Sequence, residues 1–342
     1  MQSFIIWIMK NMPNFILRLL AGKPLDIDGN RLDVNMQIVA NMAARNAPEA
    51  GEFPPLDELR ASMAELKPLD ASRRAGVQSV DRHFSASVGD IKVRIYTPHN
   101  CPDLAPAILF FHQGGLVVMD LDSDDTFCSV MADEAKARVI SLDYRLCPEH
   151  AFPAAIDDAL ALWDYVQSHA AELGIASARI ALAGDSAGGL ISAVLAQEIR
   201  DRGGVQPAAQ LLVYPWVATQ MEEQGSVVSC AETFPLNRAT MDFFNAQVFP
   251  DDKNTDHKWA NPLHNDNLEN LPPAIVATAG FDPIRDQGNA YAQAIKAAGN
   301  RVTHHCFGSL THSFLIFGNV SHTAQRASVQ LARELAELLK TD

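Results

Sequence analysis

"LAGDSAGGLISAVLA", residues 182–196, decides how the rest of this 342-residue chain is read. An apolar strand pattern ends at Ala183, a G-x-S-x-G motif follows (Gly184, Asp185, Ser186, Ala187, Gly188), and a helical pattern begins at once. So sharp a strand-to-helix turn forces its serine into a strained backbone conformation, and only small residues two positions either side avoid collision. It lifts the Ser186 hydroxyl clear of a sheet and sets it at a helix N-terminus, whose N–H groups and dipole favour developing negative charge. Without the strand before it and the helix after it, the same pentapeptide would be only a glycine-rich turn that helps a helix pack.

Outward from this turn the pattern alternates. β-rich runs occur at "IKVRIY" (91–96), "AILFF" (107–111), "RVISL" (138–142), "RIALAG" (179–184), "AQLLVY" (209–214), "AIVATAG" (274–280) and "VTHHCF" (302–307). Between them, 153–168, 187–202, 286–298 and 322–340 carry apolar residues at helical spacing. The middle strands are nearly continuous apolar runs, as expected of strands buried on both faces. The fold class is therefore α/β, with a mostly parallel central sheet flanked by helices. Two regions break the alternation. Residues 1–75 are helix-like with no clear strand, and an insertion at about 217–265 contains the apolar-faced helix "FPLNRATMDFFNAQVF". The expectation is a catalytic domain over 76–342 and a helical cap assembled from both regions.

A serine is a poor nucleophile unless a base takes its proton. In this architecture the acid and then the base follow the serine, on loops after later strands. "TAGFDPIRDQG" (278–288) places Asp282 on one such loop, and "HHCFGSLTHSF" (304–314) places His312 on the next. Asp286 rivals Asp282, but it stands where a helix begins, a common place for a carboxylate that only caps N–H groups. Asp282 is preferred. His304 and His305 are adjacent on a strand and point to opposite faces, one to the core and one to a helix, so they cannot chelate one metal together.

Composition narrows the function classes. The net charge of −14 repels phosphate backbones and no basic run offsets it, so no nucleic-acid partner is expected. Five scattered cysteines without C-x-x-C spacing suit a reducing compartment, here the cytoplasm. At the N-terminus, Lys10 follows the apolar run instead of preceding it, unlike a secretory signal, and Phe4 to Met9 is too short to span a bilayer. The segment reads as an amphipathic helix laid over the protein's own surface, with no stable membrane insertion. A homodimer is compatible with all of this.

Several segments together resemble the hormone-sensitive-lipase-like carboxylesterases, the HGGG group of the α/β-hydrolase superfamily. They are "FHQGGLVVMDLDSDD", "SLDYRLCPEHAFPAAIDDA", "GDSAGG", "DPIRDQG" and "HSF", in family order from about residue 80 onward. The resemblance implies a serine carboxylesterase with Ser186 as nucleophile, His312 as base and Asp282 as its orienting acid. It implies oxyanion donors at Gly114, Gly115 and Ala187, with His112 pinning their loop, and no metal or organic cofactor. It also suggests a buried Asp143–Arg145 ion pair, and Pro148 and Pro153 shaping the approach to a helix. Three departures bear on the pocket mouth: Gln113 replaces the first glycine, Leu116 an aromatic residue, and Met119 a glycine. A small uncharged ester is the expected substrate. The alternatives are an amide- or carbamate-type acyl hydrolase on the same site, or a non-catalytic binding homologue, whose mark would be loss of the nucleophile or base.

Overall fold

The computed structural model describes residues 6, 9, 12–45, 52–63, 69, 71–220 and 223–340. Eight strands form the main sheet: β1 (Val77–Ala86), β2 (Gly89–Pro98), β3 (Ala105–Phe111), β4 (Arg138–Asp143), β5 (Ile175–Asp185), β6 (Ala209–Val213), β7 (Ala274–Phe281) and β8 (Val302–Thr311). Their order across the sheet is β8-β7-β6-β5-β3-β4-β2-β1. Pairing is antiparallel for β1 with β2 and for β2 with β4, and parallel elsewhere. The sheet is thus the α/β architecture expected, with one strand more than the seven runs: β1, which is largely exposed and polar and carries no continuous apolar signal.

Burial on both faces follows from the pleat. In β3, Ala107, Leu109 and Phe111 enter one core while Ile108 and Phe110 enter the other. The first core is closed by α5 (Ala154–Ser168) and α6 (Ala187–Arg202). The second is closed by α4 (Asp125–Ala135) and α9 (His322–Leu338). Each such leucine or phenylalanine contributes roughly 1.5–3 kcal/mol by leaving water. Helix α4 has no counterpart in the sequence reading. The remaining core helix, α8 (Arg285–Ala297), packs Tyr291 and Ile295 against Ala193 of α6.

Two segments lie apart from this alternation. The N-terminal one contains α1 (Asn14–Ala21), α2 (Val34–Arg45) and α3 (Leu56–Met63), with a small hairpin pairing Asp26–Ile27 with Asn30–Arg31 where no strand was expected. The expectation for the first eleven residues lies outside the described ones, except that Ile6 and Met9 are buried. Helix α1 covers its own protein only with Leu17 and Ala21, leaving Phe15 and Leu19 in solvent. The insertion supplies a turn at Ser226–Ser229 and α7 (Arg238–Val248), capped by Asn237, whose side chain accepts from the Thr240 N–H. Among the described residues, no helix is long and apolar enough to cross a membrane.

Three local readings change. Arg145 pairs with Asp158, not Asp143: its guanidinium approaches to 2.6 Å, and its backbone N–H also donates to that carboxylate. Asp143 instead lies directly across from Lys92 on β2 and binds it at 3.0 Å, because cross-strand register outweighs sequence proximity. Neither His304 nor His305 enters the core. As neighbours on an edge strand they reach helices on opposite faces, His304 to Asn289 of α8 and His305 to Glu334 of α9. Pro148 and Pro153 both follow cis peptide bonds before α5.

Candidate active site

Ser186 stands between β5 and α6 with φ 52° and ψ −115°, the strained turn that the motif demands. Its backbone is held from three sides. Ser186 N–H donates to Val213 O (2.9 Å), and Ser186 O accepts from Leu190 N–H (3.1 Å) and Trp216 N–H (3.0 Å). A side chain at Gly188 would collide with the Phe111 carbonyl, so that glycine lets β3 approach the turn.

The two loops chosen from sequence meet here. His312 Nε2 lies 2.9 Å from Ser186 Oγ, and its Nδ1 lies 2.7 Å from Asp282 Oδ2. Asp282 is fully buried, and its other oxygen accepts the Ile284 N–H at 2.9 Å. Asp286 is elsewhere: it accepts from Ser226 N–H (2.8 Å) and from Arg285 (2.9 Å), capping the short turn of the insertion.

The glycine loop follows β3. Gly114 and Gly115 have φ of 119° and 61°, a region closed to most side chains. A Cβ at Gly115 would also sit 2.5 Å from the Phe244 ring of α7. The N–H groups of Gly114, Gly115 and Ala187 have no hydrogen-bond acceptor among the described residues. His112 faces its own loop: its ring stacks on Tyr144, its Nδ1 lies 2.7 Å from Gln113 O, and burial holds its pKa below the usual histidine value.

Of the three departures, Met119 and Gln113 line the cavity and Leu116 does not. Met119 has φ 73°, a region that favours glycine, and its side chain lines the cavity. Leu116, with φ 62°, is buried in the first core. Gln113 lines the cavity but is only 2% exposed, tied to the loop that carries His312. Its amide oxygen accepts from Ser313 Oγ and its amide nitrogen faces Asp124.

Above Ser186 is a cavity of about 290 Å³. Phe53, Leu59 and Met63 close it from the N-terminal segment, and Leu236, Met241 and Phe244 from the insertion. The two segments join through stacked Phe53 and Phe243, with centroids 4.2 Å apart. Among the described residues, no Lys, Arg, Asp or Glu lines the cavity. Two arginines fasten the cover to the core. Arg60 of α3 holds Glu149 at 2.7 Å while donating to Val117 O and Cys147 O, and Arg285 joins Gly280 O to Asp28 of the hairpin. Sequence reading missed both, because a surface arginine carries no mark of what its five donors will reach.

A family profile described as the alpha/beta hydrolase fold matches residues 108–316. The chain belongs to that family, in the carboxylesterase group that its motifs resemble. Esterase LipI of Mycobacterium tuberculosis is 41% identical over 255 residues, covering 73% of this chain and 78% of that protein. Carboxylic ester hydrolase LipN of the same organism is 36% identical over 306 residues, covering 87% and 80%. A thermostable esterase from Pseudomonas putida superposes with a TM-score of 0.86 at 28% identity, covering 91% of this chain and 98% of that one. EstE1, a thermostable carboxylesterase from a metagenomic library, gives 0.80 at 34% identity, covering 84% and 99%.

Proposed function

We propose that this carboxylic ester hydrolase works by acyl transfer to Ser186 on small to medium, uncharged esters. The observation that carries the reading is His312, bridging Ser186 Oγ at 2.9 Å and Asp282 at 2.7 Å beneath an apolar cavity. With Nδ1–H donated to Asp282, the His312 Nε2 lone pair faces the hydroxyl and takes its proton as Oγ attacks the ester carbonyl. The N–H groups of Gly114, Gly115 and Ala187, free of other acceptors among the described residues, receive the oxyanion. Protonated His312 then gives its proton to the leaving alcohol. Water, activated by the same ring, releases the acid. His112 steadies the loop through Gln113 O.

The two segments over the cavity act as the cap, residues 1–75 and about 217–265, closing the catalytic domain of 76–342. A cavity near the lower end of the ligand-site range, about 300–1,000 Å³, suits acyl chains of roughly four to eight carbons. The absence of Lys, Arg, Asp and Glu from its lining among the described residues favours a neutral substrate. The five cysteines, all unpaired, support a cytoplasmic setting. The test is a series of p-nitrophenyl esters of rising acyl length with a matched anilide. Rates should peak among the short to medium esters and be far lower on the anilide. Faster anilide cleavage, or preference for long-chain emulsions, would overturn the reading.

A further inference from the structure

Behind the nucleophile lies a group of buried polar side chains that the acyl-transfer steps do not use. Asp185, directly before Ser186, and Asp124, just before α4, are both buried, and their carboxyl groups are close enough to interact directly. The outer oxygens are satisfied: Asp185 Oδ2 accepts from Tyr214 OH at 2.8 Å, and Asp124 Oδ1 accepts from Gln113 Nε2 at 3.5 Å. The remaining, inner oxygens, Asp185 Oδ1 and Asp124 Oδ2, have no hydrogen-bond partner among the described residues. Neither carboxyl forms an ion pair among the described residues.

Two carboxylates in contact without a cation cannot both be ionised in so dry a place. One hydrogen between the inner oxygens satisfies both, while the outer oxygens go on accepting. The other titratable groups facing the pair are Cys128 of α4, Tyr144 after β4 and Tyr214 after β6. Burial pushes all three up, so none supplies charge near neutrality. Burial likewise raises the Asp124 carboxyl to about 7 and Asp185 well above its usual range.

Gln113 connects this pair to the reacting loops. Its backbone N–H faces both carboxyl groups, its amide nitrogen reaches Asp124, and its amide oxygen accepts from Ser313, the neighbour of His312. An amide of this length donates at one end and accepts at the other. Glycine, the residue usual in this pattern, supplies neither group from its side chain.

We propose that Gln113 is a positioning residue, clamping the glycine loop, the nucleophile turn and the His312 loop into one unit around a single proton held between Asp124 and Asp185. The clamp rests on the acyl-transfer reading above and acts by fixing where Gly114 and Gly115 present their N–H groups.

The test compares wild type with Gln113→Met, Asp124→Asn and Asp124→Leu on p-nitrophenyl butyrate, with melting curves at pH 5 and pH 8. Gln113→Met keeps the length without the hydrogen bonds. It should lower kcat about 10- to 100-fold, less than the ~10²–10³ of losing an oxyanion donor, and leave KM within about threefold. In Asp124→Asn the amide N–H replaces the shared proton and the amide oxygen still accepts from Gln113. Its kcat should fall only a few-fold, whereas Asp124→Leu should lose far more. The wild-type Tm should drop from pH 5 to pH 8 as the folded state loses its extra proton, and Asp124→Asn should flatten that change. Wild-type kcat in Gln113→Met would overturn the clamp alone. Asp124→Asn as damaged as Asp124→Leu, with the pH change intact, would overturn the shared proton. No ester hydrolysis by the folded wild type would overturn the acyl-transfer reading and the clamp's role with it.

Discussion

Below the cavity, Ser186, His312 and Asp282 are held by backbone: a strained turn, two loops at strand ends, and glycines where another residue would collide. Above it, the contacts are between side chains: Phe53, just before α3, stacks on Phe243 of α7, and Phe244 lies over Gly115. On the proposed reading the floor has to set the geometry of bond-making, which tolerates little displacement. On the same reading the cover has only to exclude water and bound a volume, and many apolar residues can do either. On this contrast, substitutions below should abolish chemistry, while substitutions above should redistribute substrates.

The largest effects belong to the floor. Ser186→Ala and His312→Ala should each lower kcat by about 10⁴–10⁶, and Asp282→Asn somewhat less. Asp286→Asn, which touches only the Ser226 turn and Arg285, should leave kcat within a few-fold and lower the melting temperature instead. Steady-state kinetics of the four variants would break the contrast if Asp286→Asn proved the damaging acid change.

Next comes the cover. Phe244→Ala removes the ring packed against Gly115 and enlarges the cavity. It should raise the ratio of kcat/KM for octanoate over acetate esters by about tenfold, the scale of a few methylene contacts, with kcat on acetate little changed. Equal losses on every chain length would mean that Phe244 positions the floor and not the substrate.

This contrast also explains what was legible in the sequence. Gly184, Ser186, Gly188, Asp282 and His312 could be placed because backbone strain and proton transfer each demand particular residue types at particular points of the strand order. The parallel sheet was legible from its apolar runs. Strand β1 was not, since as an exposed edge it needs no apolar run, and α4 was missed beside it. The Arg145–Asp158 pair was misassigned because the family resemblance suggested Asp143, while register gave Asp143 to Lys92. Gln113 was read as a feature of the mouth, because nothing local announces that Asp124 and Ser313 stand behind it. Long-range polar partners are invisible until the fold brings them together.

The smallest effect concerns the fastening of the cover. Arg60 holds the exposed Glu149 carboxyl down to about 2, through their hydrogen bonds. A carboxyl lowered in the folded state adds stability above its unfolded pKa, 4.5, and loses it as pH falls toward 2. Solvent screening makes the contribution small, under about 1 kcal/mol. Arg60→Ala should therefore lower Tm by only a few degrees at pH 7 and by less near pH 3, while raising KM several-fold through a looser α3. An equal Tm loss at both pH values would assign Arg60 to packing alone.

The most direct test of the floor is covalent trapping by an alkyl p-nitrophenyl phosphonate, followed by mass spectrometry of the digested protein. One adduct is expected per chain, on the peptide carrying Ser186, absent from Ser186→Ala and formed at least 10³-fold more slowly in His312→Ala. An adduct on another residue, or unchanged labelling in His312→Ala, would contradict Ser186 as a nucleophile activated by His312.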